Sequence, residues 1–213
     1  DTALLIEGAR RIGKSYTAEE FARNEYEFYI LIDFSKAPAR VKSWFDDYLE
    51  DVDTLLQNIQ LHYKKTLTPR KSLIIFDEVQ KCPRAREAIK ALVADHRFDY
   101  LETGSLISIK KNVEDIVIPS EEEGIDMYPM DFEEFLWAMG NEVLFPYIQK
   151  QFEKQQPMGD FHRDAMHYFR QYMIVGGMPQ AVAEYAQTKD FNKVDAIKRQ
   201  ILRLYKNDIK KYA

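Results

Sequence analysis

Cysteine is almost absent from this chain, which has one thiol, Cys82, in 213 residues. A single cysteine excludes an internal disulfide and is typical of proteins in a reducing compartment. Long hydrophobic runs are also missing, since none approaches the roughly 20 residues that a membrane-spanning helix needs. No secretory signal peptide is visible. We therefore expect a cytoplasmic protein that does not engage a membrane.

The chain also lacks a large excess of charge of one sign. Its 30 lysines and arginines oppose 35 aspartates and glutamates, which leaves a net charge of −5. This balance argues against a protein whose whole surface binds nucleic acid. Metal-ligand spacing is missing among Cys82 and the four histidines, so we expect ordinary roles for them.

What the sequence does contain is an alternation of short apolar runs with helical stretches. The predicted strands are Ala3–Glu7, Phe28–Asp33, Leu73–Asp77, Tyr100–Thr103 and Ile125–Tyr128. The predicted helices between them are Tyr16–Asn24, a broken segment from Ala39 to Lys65, Arg84–Asp95 and Leu106–Lys111. Strands that alternate with helices predict βαβ units and a parallel sheet, which is an α/β fold.

From about Val143 onward only helices are expected. They are Leu144–Gln155, Asp160–Met173, Pro179–Gln187 and Lys193–Tyr212. Just before them, Asp131 and Glu134 have the spacing of a capping box, which predicts the start of a helix at Asp131–Met139. We therefore predict an α/β core at about 1–140 and a small helical lid at about 141–213.

The most specific motif follows the first predicted strand and matches G-x-x-x-x-G-K-[ST] at every fixed position. Its residues are Gly8, Ala9, Arg10, Arg11, Ile12, Gly13, Lys14 and Ser15, with Tyr16 next in the following helix. A strand, a glycine loop and a helix in this order cradle nucleotide phosphates, because backbone N–H groups and the helix N-terminus point at the anion. We expect these residues to bind ATP, with Lys14 on the β- and γ-phosphates and the Ser15 hydroxyl on Mg²⁺.

Arg10 and Arg11 occupy variable positions of this loop and allow two interpretations. Variable positions often point outward, which would make both arginines ordinary surface residues. Alternatively, one of them contacts the γ-phosphate or a regulatory segment. The sequence leaves both alternatives open.

A second motif, Ile74-Ile75-Phe76-Asp77-Glu78, ends the third predicted strand with two acidic residues. A buried strand of a parallel sheet delivers such residues to its carboxyl end, where ligands bind. We expect Asp77 to hold Mg²⁺ through its water shell and Glu78 to orient and polarise the attacking water. A glutamate after the aspartate favours hydrolysis over kinase chemistry, since a kinase must shield the γ-phosphate from water.

Polar residues also end two other predicted strands. The fourth strand ends in Thr103, Gly104 and Ser105. In one interpretation, Thr103 or Ser105 senses the γ-phosphate or steers the water. In the other, the segment is only a turn with a helix N-cap at Ser105. We take Thr103 as the candidate catalytic residue of this strand. Asp33, after the second strand, is a weaker candidate for the water shell of the metal.

Together these motifs resemble a known family, the AAA-type predicted ATPases of bacteria and archaea. In that family an AAA-like core precedes a C-terminal domain of unknown function. The run Met127-Tyr128-Pro129-Met130-Asp131-Phe132-Glu133-Glu134-Phe135-Leu136 after the fifth strand is similar to that family's most specific stretch. The segment Tyr168 to Val182, with Gly176-Gly177-Met178-Pro179, is similar to its lid. The resemblance covers nearly the whole chain.

The resemblance implies a P-loop NTPase fold, with a five-stranded parallel sheet in the order 5-1-4-3-2 flanked by helices. It implies ATP and Mg²⁺ as cofactors and a chain that begins before Asp1 and continues past Ala213. An unknown macromolecular partner would then bind through the further C-terminal region. The resemblance also places Pro179 against the adenine, although a simple break between two helices explains the same Gly-Gly-x-Pro sequence.

One departure from ring-forming AAA ATPases concerns arginine, which does not occur between Arg97 and Arg163. In ring-forming members an arginine after the fourth strand reaches the γ-phosphate of the neighbouring subunit, so this departure argues against a hexameric ring. Lys110 or Lys111 would be a substitute without the planar fork of a guanidinium. Arg163 or Arg170 would supply the charge from the lid, and a solvated helix face explains these two equally well.

The last segment, Lys193–Ala213, holds seven basic and two acidic residues around an apolar stripe. This pattern predicts an amphipathic helix, and nucleic-acid contact is a weaker alternative because no aromatic platform accompanies it. The function that we expect from all these features is Mg²⁺-dependent ATP hydrolysis coupled to lid closure. The alternatives are a nucleotide-gated switch or scaffold with little turnover and, as the weakest, a P-loop kinase.

Overall fold

The computed structural model describes residues 2–105 and 120–212. Its strands are β1 (Ala3–Gly8), β2 (Phe28–Asp33), β3 (Ser72–Asp77), β4 (Asp99–Ser105) and β5 (Glu122–Met127). Its α-helices are α1 (Lys14–Glu25), α2 (Ala39–Asp47), α3 (Val52–Tyr63), α4 (Pro83–Ala94), α5 (Phe132–Ala138), α6 (Leu144–Glu153), α7 (His162–Val175), α8 (Pro179–Thr188) and α9 (Phe191–Tyr212). Two 3₁₀ turns occupy Val79–Lys81 and Gly159–Phe161. The helix expected at Leu106–Lys111, with Lys110 and Lys111, lies outside the described residues.

The chain forms two compact units. The first consists of Asp1–Ala9 and Gly13–Met127, and the second of Arg10–Ile12 and Tyr128–Ala213. The first unit therefore holds the whole sheet with α1 to α4, and the second holds α5 to α9. The predicted domains, an AAA-like P-loop ATPase core at 1–140 and a helical lid at 141–213, stay a prediction.

The five strands form one parallel sheet in the order β2-β3-β4-β1-β5. Counted from the other edge, this is the order 5-1-4-3-2, so the predicted sheet and the predicted α/β P-loop NTPase class are confirmed. The interior strand β3 is buried at all six positions. A strand covered on both faces needs such a continuous apolar run.

Both faces of this sheet are covered by apolar side chains. Ile74 and Phe76 of β3 belong to the cluster that includes α2, α3 and α4, and the rings of Phe34, Phe45 and Phe76 contact one another edge to face. Ile75 belongs to a second cluster, with Ala18 and Ala22 of α1. Successive residues of a strand point to opposite faces, so these two clusters hold the sheet between α1 on one face and α2, α3 and α4 on the other.

The edge strand β5 begins at Glu122, earlier than the predicted start at Ile125. The strand begins with two acidic residues, Glu122 and Glu123, which do not fit the apolar pattern used to predict strands. They are tolerated there because β5 pairs only with β1 and most of its side chains are exposed. Glu122 is neutralised as well, since it forms an ion pair with Arg86 of α4.

In the second unit, α5 begins with the predicted capping box. The Asp131 side chain accepts a hydrogen bond from the Glu134 N–H, and the Glu134 side chain accepts one from the Asp131 N–H. The capping box is therefore confirmed. Helix α7 begins at His162, after the 3₁₀ turn, and ends at Val175, slightly later at both ends than the sequence indicated. Among the described residues, no helix combines the length and the apolar character that crossing a bilayer requires.

The break between α7 and α8 is held by backbone contacts inside the second unit. Gly176 has a φ of 77°, a left-handed conformation that glycine adopts easily. The Gly177 carbonyl accepts a hydrogen bond of 2.8 Å from the Met130 N–H, and the Tyr172 hydroxyl donates one of 3.0 Å to the Met130 carbonyl. The two glycines therefore form a tight, well-anchored turn between the helices.

Candidate nucleotide site

Neighbouring strands end at one edge of the sheet and bring the polar motifs together. Strand β1 ends at Gly8, β3 at Asp77 and β4 at Ser105. Gly8 pairs in register with Ser105, and β4 lies between β1 and β3. The carboxyl ends of adjacent parallel strands form the ligand site in sheets of this kind.

The glycine loop ends in a left-handed residue that begins α1. Gly13 has φ 101° and ψ 6°, a conformation that is costly for a residue with a Cβ. In the described part of the chain, no side chain caps the N-terminus of α1. The first N–H groups of this helix can therefore serve an anion such as phosphate.

Lys14 lies against the loop that precedes it. Its side chain is buried, and the residue is 6% exposed. Its Nζ donates hydrogen bonds to the Gly8 carbonyl at 3.1 Å and to the Ala9 carbonyl at 2.7 Å. A charged phosphate oxygen is a stronger acceptor than a neutral carbonyl, so the position of this ammonium suits phosphate binding.

Asp77, the last residue of β3, accepts hydrogen bonds from side chains of two other elements, α1 and β4. The Ser15 hydroxyl of α1 donates a 2.7 Å hydrogen bond to Asp77 Oδ1. The Thr103 hydroxyl of β4 donates a 2.5 Å hydrogen bond to the same oxygen. Asp77 is 6% exposed and Thr103 is 1% exposed, so the two hydroxyls satisfy a carboxylate that is almost shielded from solvent.

Glu78 directly follows β3 and is held by two further hydrogen bonds. Its backbone is left-handed, with φ 57° and ψ 46°, a conformation that costs a residue with a Cβ about 1–2 kcal/mol. Its N–H donates to the Thr103 hydroxyl at 3.2 Å. Its Oε2 accepts from Gln80 Nε2 at 2.6 Å. Thr103 therefore contacts both members of the acidic pair.

The other predicted binding residues show different degrees of burial. Arg10, Arg11 and Tyr16 are exposed, whereas Ile12 is buried. Pro179 is the first residue of α8, in the second unit. The contacts of these five residues with ATP stay predictions.

Asp33 is engaged by its own neighbours in the chain. Its Oδ1 accepts the Ser35 N–H at 2.9 Å, and its Oδ2 accepts Lys36 Nζ at 2.7 Å. Burial raises the pKa of Asp33, but the hydrogen bonds from Lys36 and Ser35 outweigh burial and lower this pKa below its ordinary value. A role of Asp33 at the metal or its water shell stays a prediction.

Two features were not predicted from the sequence, one beside Glu78 and one at the first residue of β5, at the other end of the strands. The first is Gln80, whose spacing of two residues from Glu78 could have been noticed as a local polar pair. The second is a buried ion pair in which Arg86 donates two hydrogen bonds to Glu122, at 2.6 and 2.9 Å. No local signal reveals this pair, because its members are 36 residues apart.

Glu102 of β4 completes the buried group with Arg86 and Glu122. It is 0% exposed. Burial, and after it the neighbouring Glu122, raises the pKa of Glu102 well above its ordinary value. In its protonated form Glu102 can donate a hydrogen bond to Glu122. A charged Arg86, an ionised Glu122 and a neutral Glu102 can therefore be buried next to one another.

The oxygen atoms around Asp77 fit Mg²⁺, which prefers oxygen ligands. Ser15 offers a hydroxyl and Asp77 a carboxylate, within hydrogen-bonding distance of each other. Within residues 2–105 and 120–212, no group of three or more His, Cys, Asp or Glu side chains forms a metal cage. A Mg²⁺ site of the NTPase kind does not need one, because phosphate oxygens and water complete it.

Comparisons with known proteins agree with these motifs. A family model described as an AAA domain matches residues 1–136. A second model, described as a domain of unknown function (DUF8612), matches residues 166–213. These matches confirm the resemblance to AAA-type ATPases with a C-terminal domain of unknown function. No curated protein matches the chain.

The chain is also similar to larger solved structures. One is the structure of C. elegans PCH-2, at 11% identity and a TM-score of 0.42, with 95% of this chain and 61% of that chain covered. Another is a closed-state cryo-EM reconstruction of Hsp104 with ATPyS and FITC casein, at 10% identity and a TM-score of 0.46, with 93% of this chain and 36% of that chain covered. The chain thus spans less than two thirds of either protein, and likenesses this distant carry no argument about function.

Proposed function

Since this chain belongs to the AAA domain family, we propose that it is an ATPase that binds Mg²⁺-ATP at Gly8–Ser15 and hydrolyses it with Glu78. The observation that carries the proposal is the convergence of Ser15 and Thr103 on Asp77, next to Glu78. This arrangement supplies a phosphate loop, oxygen ligands for a metal and a carboxylate for water in one place.

Binding uses the glycine loop and Lys14. The N–H groups after Gly13 hold the phosphates. The Lys14 ammonium exchanges at least one of its carbonyl acceptors, Gly8 or Ala9, for an oxygen of the β- or γ-phosphate. The exchange is favourable because the phosphate oxygen is charged, and the buried ammonium stays hydrogen-bonded throughout.

Ser15 and Asp77 would hold Mg²⁺, Ser15 through its hydroxyl and Asp77 through bound water. The ion supplies neutralisation of the charge on the β- and γ-phosphates. The Thr103 hydroxyl keeps the Asp77 carboxylate in place by donating to Oδ1. We propose that this bond positions Asp77 for the metal.

Glu78 orients the attacking water and accepts its proton. The water oxygen forms a bond to the γ-phosphorus while the bond from that phosphorus to the β–γ bridging oxygen breaks, which gives ADP and phosphate. Thr103 accepts the Glu78 N–H and donates to Asp77. Thr103 thereby holds the base, Glu78, and the metal ligand, Asp77, in a fixed position relative to each other.

The finer parts of the proposal concern the second unit and the partner. We propose that a helical lid closes over ATP and reopens after the γ-phosphate is lost, with Pro179 on the adenine. Arg163 or Arg170, both exposed in α7, would supply positive charge in place of an arginine finger. A macromolecular partner that binds through further C-terminal sequence belongs to the same proposal.

Single-turnover hydrolysis of ATP labelled at the γ-phosphate tests the proposed reaction. We expect Glu78→Gln to slow phosphate release by about 100-fold or more, which is the usual contribution of a general base. The matched control is Glu50→Gln, because Glu50 is an exposed glutamate outside the site, and it should behave as wild type.

Two outcomes of this experiment would contradict hydrolysis by Glu78. Equal phosphate release by wild type and Glu78→Gln would show that another group activates the water. Tight ATP binding with no phosphate release by wild type would instead favour the nucleotide-gated switch. Without an arginine finger, a rate lower by about 10³–10⁵-fold is expected, so the assay must detect single turnovers over hours.

A further inference from the structure

We propose that Gln80 is a positioning residue for hydrolysis, which holds the Glu78 carboxylate so that one of its oxygens faces the attacking water. This inference rests on the proposed function, because it concerns the water that Glu78 activates. Gln80 lies two residues beyond the acidic motif, which ends at Glu78.

The first observation is the hydrogen bond itself. Gln80 Nε2 donates to Glu78 Oε2 at 2.6 Å, and a hydrogen bond to an ionised carboxylate is stronger than one between neutral groups. Gln80 is buried, whereas Glu78 is half-buried. The Gln80 donor therefore lies in the protein interior, whereas the Glu78 carboxylate that it binds is partly accessible to solvent.

The second observation is that the backbone fixes the donor. Gln80 is the middle residue of the 3₁₀ turn Val79–Lys81. This turn is closed by hydrogen bonds of 2.9 Å from the Lys81 N–H to the Glu78 carbonyl and from the Cys82 N–H to the Val79 carbonyl. Val79 and Cys82 are buried in the core beside α4. Gln80 is thus anchored on both sides and cannot follow Glu78 into another conformation.

The chemistry of the carboxylate explains why such an anchor is useful. A free glutamate side chain rotates about three bonds, and the hydrogen bond removes much of that freedom before the reaction. An amide engages Oε2 and leaves Oε1 as an acceptor for water. It does so without adding a charge that would compete for phosphate or metal.

The test uses the full 213-residue chain and the variant Gln80→Met, which keeps the length of the side chain but lacks the donor. We expect the single-turnover rate to fall about tenfold, the value of one hydrogen bond to a charged group. The ATP affinity measured by calorimetry should stay unchanged, because Gln80 acts on the water and not on ATP. Lys81→Met, at the exposed neighbour in the same turn, is the matched control and should react as wild type.

A double-mutant cycle separates positioning from a general effect on the fold. Because Gln80 acts through Glu78, Gln80→Met should cause no further loss of rate in a Glu78→Gln background. An equal loss in both backgrounds, or a loss of ATP affinity parallel to the loss of rate, would show a structural role and overturn the inference.

The same data distinguish the failure of this inference from the failure of the proposed function. If Glu78→Gln abolishes phosphate release and Gln80→Met leaves it unchanged, only the role of Gln80 is wrong. If wild type releases no phosphate, or Glu78→Gln has no effect, the proposed hydrolysis is wrong and the role of Gln80 falls with it.

Discussion

The Ser15 hydroxyl donates a 2.7 Å hydrogen bond to the Asp77 carboxylate, which lies 62 residues further along the chain. The bond joins the first turn of α1 to the end of β3. It aligns the two side chains that the account assigns to Mg²⁺. The phosphate loop and the acidic pair are thus connected through side chains.

Substitution of Ser15 tests the assignment of the metal ligands. We expect Ser15→Ala to weaken ATP binding in the presence of Mg²⁺ by about tenfold, because one oxygen ligand and one charge-assisted hydrogen bond are lost. Binding of ATP in excess EDTA should be unaffected by the substitution. Isothermal titration calorimetry with and without Mg²⁺ measures both quantities.

The control for Ser15 is Thr17→Ala, at an exposed hydroxyl two residues further along α1. It should bind Mg²⁺-ATP as wild type does. A Ser15→Ala protein that loses the same affinity with EDTA as with Mg²⁺ would contradict a role at the metal and indicate damage to the loop.

Thr103 offers a test of the connection between Asp77 and Glu78. Thr103→Val keeps the shape of the side chain but leaves the partly buried Glu78 N–H without its acceptor and the buried Asp77 carboxylate without one donor, which costs about 1–3 kcal/mol. We expect a lower free energy of unfolding in urea together with slower phosphate release. Thr103→Ser keeps the hydroxyl and should restore both properties. A valine variant with wild-type hydrolysis would show that Thr103 has no part in the reaction.

The fold and much of the site could be predicted because their signals are local. The strands β1, β2 and β3 are short apolar runs, and the loop at Gly8–Ser15 has a fixed spacing. The order of the sheet could be stated only through the family resemblance. Nothing in the spacing of the strands decides which of them are neighbours.

The features that could not be predicted depend on contacts between distant residues. Glu102 occurs in a strand buried at most positions, where a carboxyl group is unexpected from burial alone. Its neighbours Arg86 and Glu122 come from α4 and β5, and only the folded sheet brings them together. For the same reason, the sequence predicted the start of β5 at Ile125 and not at Glu122.

Glu102 makes the stability of the protein depend on pH in a defined direction. Because its pKa is raised in the folded state, the folded protein holds this proton more tightly than the unfolded chain. The contribution of Glu102 is therefore fully present below its unfolded pKa of about 4.3 and is lost as pH rises through the raised folded pKa.

Glu102→Gln removes this titration while keeping the shape of the side chain. The free energy of unfolding of the variant should rise relative to wild type with increasing pH, by up to about 1.4 kcal/mol per pH unit within that window. Urea unfolding of both proteins at several pH values measures the difference, and contributions of other groups cancel. A difference that does not change with pH would contradict the assigned state of Glu102.

The turn between α7 and α8 is tested by Gly177→Ala. A Cβ at Gly177 would collide with the backbone carbonyl of Met130, and overpacking of this kind costs about 1–3 kcal/mol. We expect a lower midpoint of thermal unfolding. The control is Gly124→Ala, where a Cβ meets nothing within 4 Å. Equal midpoints for Gly177→Ala and wild type would show that the turn can move away from the Met130 backbone at little cost and is not tightly anchored.

The central claim is that Gly8–Ser15 binds ATP, and calorimetric titration of Mg²⁺-ATP into wild type, Lys14→Ala and Lys90→Ala tests it most directly. Lys90 is an exposed lysine of α4 and serves as the matched control. We expect binding by wild type and Lys90→Ala, and an affinity at least about tenfold lower for Lys14→Ala, which loses the charged donor to phosphate. Equal affinity of wild type and Lys14→Ala, or no binding by any of the three proteins, would contradict this claim.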